Sequence, residues 1–156
     1  MSIIAAGTPA PDFTLKREDG SDFTREDLLG HTTVLVFYPF AFSPVCTDQL
    51  QIYEEALEDL AAQGATLYGV STDPGWSQKA FKEKLGVTIE QLSDFEPKGA
   101  MARAFGAYFE PGGMTNRALV IVGPDAVVRW SYLANSPSDL PGVNLIFDGL
   151  RSPAGA

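Results

Sequence analysis

From Thr33 to Tyr38 the chain reads TVLVFY, with five apolar residues in succession at Val34, Leu35, Val36, Phe37 and Tyr38. A continuous apolar run, unlike an alternating one, is the pattern of a strand covered on both faces, which requires a central sheet position with helices flanking it. Pro39 and a short turn follow, and then Cys46, the only cysteine of the chain. Ser43 has the residue type of an N-cap, Pro44 suits the first helical position, and Cys46 falls at the third. There the free backbone N–H groups and the positive end of the helix dipole favour an anion, which for a cysteine means thiolate over thiol.

Other segments supply partners for that strand. The segment PDFTLKREDGSDF alternates around Asp19-Gly20 and predicts a small peripheral β-hairpin. Thr24 caps a helical turn through Leu29. Leu50, Tyr53, Leu57 and Leu60 recur at helical spacing, predicting one helix over 43–63 stopped by Gly64. A second buried strand spans 65–70, and Asp73-Pro74 reads as N-cap and first residue of a helix to Leu85. A short strand over 87–92 and a helix from Pro97 to Gly106 follow. RALVIV (117–122) and VVRWSYL (127–133), separated by GPDA, form a second hairpin, and 139–150 is a closing helix. Strands alternating with helices predict a mainly parallel sheet, to which the last hairpin adds an antiparallel part. The fold class is therefore α/β, a mixed sheet sandwiched between helices, in one domain over 1–156 with a disordered tail at about 152–156.

Twenty acidic residues against eleven basic give a formal charge of −9, which repels phosphate backbones and anionic lipid surfaces. Nucleic acid and membranes are thus not expected as partners, and no segment is long and apolar enough to span a bilayer. A single cysteine and an N-terminus without signal-peptide character point to a reducing cytoplasm. One histidine and one cysteine among scattered carboxylates give no metal-ligand spacing, and no phosphate loop or GxGxxG occurs, so neither metal nor nucleotide cofactor is implied. Trp76, Phe81 and Phe105 read as core residues. His31 precedes the central strand, at the opposite end from Cys46, which argues against a Cys–His pair of the protease type. A reactive cysteine needs a cation, and Arg117, directly after the turn-forming PGGMTN, is either that cation or a residue of a solvated edge; the residues alone leave both open.

YPFAFSPVCT resembles the peroxiredoxin signature, in which a proline, a threonine or serine and the peroxidatic cysteine are spaced P-x-x-x-[TS]-x-x-C; Pro39, Ser43 and Cys46 match it. The resemblance extends through APDFTL, GVSTD, LSDF, RAFGAY and Asn116-Arg117, nearly the whole chain. It implies a thioredoxin-like three-layer sandwich and a thiol-dependent peroxidase in which Cys46 attacks the peroxide O–O bond. Ser43 and the backbone at Val45 would hold the peroxide with Arg117, Arg117 would also activate the sulfur, and Pro39 would shield it. Two positions depart from the family pattern. Gln49 stands where a glutamate commonly orients the arginine, and Gln51 stands where some members carry a resolving cysteine. With no other cysteine in the chain the mechanism implied is the one-cysteine kind, and the FAF stretch before Ser43 and the LSDF and TNR segments resemble the AhpE-like subgroup of such members. Sulfenic Cys46 is then resolved by an external thiol, either a small thiol or a thioredoxin- or glutaredoxin-like protein. A homodimer is the expected assembly. The alternative is a thioredoxin-fold redox sensor or holdase in which Cys46 supports no turnover.

Overall fold

The computed structural model describes residues 2–152. In chain order its strands are β1 (Thr14–Lys16), β2 (Asp22–Thr24), β3 (Thr32–Phe37), β4 (Ala65–Ser71), β5 (Glu90–Ser93), β6 (Tyr108–Phe109), β7 (Met114–Thr115), β8 (Ala118–Val122) and β9 (Val128–Leu133). The helices are α1 (Pro44–Glu55), α2 (Leu57–Ala62), α3 (Gly75–Leu85), α4 (Ala100–Phe105) and α5 (Val143–Arg151). Seven strands form one sheet in the order β2-β1-β5-β4-β3-β8-β9. β3, β4 and β5 run parallel, while β8 is antiparallel to β3 and to β9. Strands β6 and β7 make a separate small hairpin that the residue pattern did not reveal.

The apolar run does what its continuity requires. Leu35 and Phe37 face a core with Leu15, Phe23, Met101 and Phe105, covered by α4 and the N-terminal segment. Val34, Val36 and Tyr38 face the opposite core, with Leu50, Tyr53, Leu60, Phe81 and Ile146 from the other four helices. Full burial of each such side chain contributes about 1.5–3 kcal/mol, so β3, buried from Thr33 onward, anchors both layers. The structure is thus a three-layer α/β sandwich with a mixed sheet, as expected, with the helices unequally divided between its faces.

Several local expectations are corrected. The N-terminal hairpin is peripheral, as expected, but not separate: Lys16 pairs with Ser93 and joins β1 and β2 to one edge of the main sheet. The helix over 43–63 breaks at Ala56, whose N–H donates to Tyr53 O at 3.1 Å, tightening the turn to an i−3 bond and re-aiming Leu57 and Leu60 onto the sheet. Helix α3 starts after Pro74, so Asp73 does not cap it. The closing helix starts at Val143, because Pro141 disfavours helical backbone at the residue before it. The strand expected from Val87 starts at Glu90. Trp76 is 82% exposed whereas Phe81 and Phe105 are buried. Five residues at 100° each place Trp76 and Phe81 on different faces of α3. The expected tail, beyond Ser152, lies outside the described residues. No helix among the described residues is long and apolar enough to cross a membrane.

Helix α4 also starts later than Pro97 suggests, because Gly99 adopts a left-handed φ of +70°. Its first amides are satisfied from a distance: buried Asp94 accepts from Met101 N at 3.1 Å and Ala102 N at 2.9 Å. Burial pushes the Asp94 carboxyl up to about 6, against the downward pull of those two amides. The folded chain therefore holds this proton more tightly than the unfolded chain. The resulting stability is present below about pH 4 and is lost as the pH rises through about 6. An Asp94→Asn variant, which cannot ionise, should lose about 1–3 kcal/mol less than the wild type between pH 4 and pH 6 in urea unfolding. Identical pH slopes would exclude the assignment.

Candidate active site

Topology gathers the expected residues at one end of the sheet. Because β3 and β4 are parallel and β8 runs opposite to them, the segments after β3 and β4 and the one before β8 emerge together. β9, antiparallel to β8, sends the 134–141 loop to the same end. This is the strand-end location at which α/β sheets gather ligands.

Helix α1 begins as the sequence predicts. Ser43 is its extended N-cap, its Oγ accepts from Cys46 N at 3.4 Å, and Pro44 occupies the first helical position. Cys46 lies in the first turn and is fully buried. The Val45 N–H, at the second helical position, has no acceptor within the helix itself and points the same positive end toward the site. Pro39 is buried at the end of β3, and the loop after it is held by Asp73, whose Oδ2 accepts from Ala41 N at 2.8 Å and from Ser71 Oγ at 2.7 Å. Phe42 sits in that loop at a left-handed φ of +72° and packs against Phe81, 5.2 Å between ring centroids. Such backbone costs about 1–3 kcal/mol, which the Asp73 clamp and the aromatic contact offset.

Arg117 is 1% exposed and directs every part of its guanidinium at an acceptor. Its Nη2 lies 3.3 Å from Cys46 Sγ, Nη1 donates to Gln49 Oε1 at 2.6 Å, and Nε donates to Pro137 O at 2.8 Å. Gln49, one turn along α1 from Cys46 and fully buried, donates from Nε2 to Tyr53 Oη at 3.1 Å. Tyr53 donates in turn to Pro141 O at 2.7 Å. No carboxylate takes part in these bonds. The guanidinium therefore meets neutral oxygens at Nη1 and Nε and the cysteine sulfur at Nη2.

Outside this network an open, mainly apolar depression of about 290 Å³ is lined by Pro39, Phe40, Ser43, Val45, Met114 and Arg117. A larger one, about 360 Å³, lies between the β1–β2 turn and the start of α3 beside Trp76, and contains none of the residues named for the site. The chemistry, not the volume, identifies the first. Pro39, Ser43, Val45, Cys46, Gln49 and Arg117 are thus brought together, and His31, before β3, stands apart from them. Tyr53, Asp73 and the carbonyls of Pro137 and Pro141 are participants that residue patterns did not announce. Among the described residues no three His, Cys, Asp or Glu side chains are grouped to hold a metal ion.

Comparison with known proteins gives a consistent picture. A family model described as the AhpC/TSA family matches residues 6–131. The chain is 29% identical over 151 residues to alkyl hydroperoxide reductase E of Mycobacterium tuberculosis, covering 96% of this chain and 98% of that protein. It is 33% identical over 135 residues to alkyl hydroperoxide reductase C of Amphibacillus xylanus, covering 83% and 71% respectively. Among solved structures, Enterococcus faecalis AhpC superposes with a TM-score of 0.85 at 27% identity over 95% of this chain and 91% of the other. Peroxidoxin BcpB from Mycobacterium tuberculosis superposes at 0.81 with 26% identity over 95% and 97%.

Proposed function

The chain belongs to the AhpC/TSA family of peroxiredoxins, thiol-dependent peroxidases, and from that premise we propose how its own residues carry the reaction. The observation that carries the proposal is the 3.3 Å approach of the buried Arg117 guanidinium to Cys46 Sγ at the start of α1. The peroxide enters the depression beside Pro39 and Val45. Ser43 Oγ and the Val45 N–H hold its oxygens, and Arg117 faces the O–O bond. The Cys46 thiolate attacks the terminal oxygen, the S–O bond forms as the O–O bond breaks, and the alkoxide or hydroxide that departs takes up a proton as alcohol or water. Cys46 is left as sulfenic acid, the sulfur oxidised by two electrons and the peroxide reduced by two.

With one cysteine in the chain, the second half of the cycle belongs to an outside thiol. That thiol attacks the sulfenic sulfur, releases water and forms a mixed disulfide; a second thiol then expels the Cys46 thiolate. A small thiol or a thioredoxin- or glutaredoxin-like protein fits this role. The near end-to-end match to alkyl hydroperoxide reductase E supports placing the chain beside such one-cysteine members. Steady-state peroxide consumption is expected when a thiol donor is present. Oxidation of Cys46 without any thiol-dependent turnover would instead favour a redox sensor.

We also propose that a second copy of the chain pairs at this end of the sheet. Phe40 (43% exposed) and Phe42 (50%) in the loop after β3 and Phe95 (51%) in the loop after β5 are large apolar side chains open to solvent at this end. Sedimentation velocity of the reduced protein should give twice the single-chain mass, and a Phe42→Ser variant should sediment more slowly. A single-chain mass at tens of micromolar rules the pairing out.

A further inference from the structure

Gln49 presents an amide where orientation matters. Arg117 has only donors, so it must face the amide oxygen, as it does at 2.6 Å. An amide turned over would aim its NH2 at the guanidinium, leaving Nη1 without an acceptor and placing two donors face to face. Shape alone does not prevent this, because the oxygen and nitrogen ends of the amide are nearly the same size. The group that distinguishes them is Tyr53. Its single proton goes to Pro141 O at 2.7 Å, a carbonyl that can only accept. The Tyr53 oxygen is then left as an acceptor, and it takes the Gln49 NH2 at 3.1 Å. Gln49 and Tyr53 are both fully buried, so water does not substitute for either partner.

We propose that Tyr53 is a positioning residue of the Cys46 site: its hydroxyl, fixed by Pro141 O, sets the Gln49 amide so that its oxygen holds Arg117 against the sulfur. The wire runs from the 134–141 loop through α1 to the guanidinium, and it contains no charge. Arg117 Nε is fixed to the same loop through Pro137 O, so both ends of the wire move with one segment. Burial keeps the phenol protonated by pushing its ionisation up to about 12, so the donor to Pro141 persists throughout the neutral range. The inference rests on the peroxidase reading above, and its test separates the two.

The test compares four proteins: wild type, Tyr53→Phe, Gln49→Glu and the double variant. Each is assayed for the second-order rate of Cys46 oxidation by hydrogen peroxide and for the rate of Cys46 alkylation by iodoacetamide, with thermal unfolding as a control. Tyr53→Phe removes only the hydroxyl and should slow oxidation by about tenfold, part of the loss expected when one aligned donor leaves a reacting centre. A carboxylate at 49 presents an oxygen to Arg117 in either orientation, so Tyr53 has nothing to orient there: whatever rate Gln49→Glu itself sets, Tyr53→Phe should change it by no more than about threefold.

Rescue of this kind is not produced by loss of packing, which would be the same in either background. Tyr53→Phe at the wild-type rate, or equally damaging in the Gln49→Glu background, overturns the proposal. Should Tyr53→Phe alone fail to fold, the double variant decides, supporting the proposal if it matches Gln49→Glu and overturning it if it does not. Should wild-type Cys46 resist peroxide, the peroxidase reading fails, and the alkylation rates decide this proposal by the same pattern of loss and rescue.

Discussion

Cys46→Ser is expected to consume no measurable peroxide, below roughly one thousandth of the wild-type rate, with the fold retained. The chain has no other thiol, and a serine hydroxyl gives almost no alkoxide near neutrality, so the nucleophile is removed while its volume is nearly preserved. The exchange should be mild for stability. Cys46 Sγ is fully buried, yet the serine Oγ still offers Arg117 Nη2 an acceptor at nearly the same place. Peroxide loss is followed with a thiol donor in excess, and thermal unfolding confirms the variant is folded. A folded Cys46→Ser protein that consumed peroxide at the wild-type rate would remove the sulfur from the mechanism altogether.

The second large effect belongs to Arg117. Arg117→Ala should lower the rate of Cys46 oxidation by about 10²–10³, the range seen when a donor aligned on a developing charge is removed. Arg117→Lys should lose about tenfold or more: it keeps a positive charge but cannot reach Cys46 Sγ, Gln49 Oε1 and Pro137 O at once, since a guanidinium is a planar fork and an ammonium is a point. The alanine variant also orphans two buried acceptors at about 1–3 kcal/mol each, so part of its defect is structural. The lysine variant and far-UV circular dichroism separate these contributions. Oxidation at the wild-type rate in a folded Arg117→Lys protein would show that geometry, as distinct from charge, is dispensable.

How much of this was legible in the chain follows from the range of each signal. The start of α1 was readable because Ser43, Pro44 and Cys46 encode it within four residues, by capping and by a missing N–H. The central strand was readable because burial on both faces leaves a continuous apolar run. Arg117 was placed by family resemblance alone; its 71-residue separation from Cys46 closes only when β8 pairs with β3. Tyr53 was legible as an apolar helix position but not as a hydrogen-bonding one, since the spacing that buries a ring says nothing of where its hydroxyl ends. Asp73 was misread because Asp-Pro imitates a helix start, whereas the carboxylate turns back to Ala41. The acceptors at Pro137 and Pro141 are backbone carbonyls, which every residue carries, so no residue type could have announced them.

The central claim is that one sulfur begins the cycle and an outside thiol must finish it. The most direct measurement mixes fully reduced protein with excess peroxide in the absence of any thiol, quenches at intervals and follows both the peroxide consumed and the intact mass. The early phase should consume one peroxide per chain and add one oxygen, located on Cys46, after which consumption falls to the slow rate of overoxidation until a thiol is supplied. Absence of that first oxygen, or rapid consumption continuing past one equivalent without a thiol, would contradict the account.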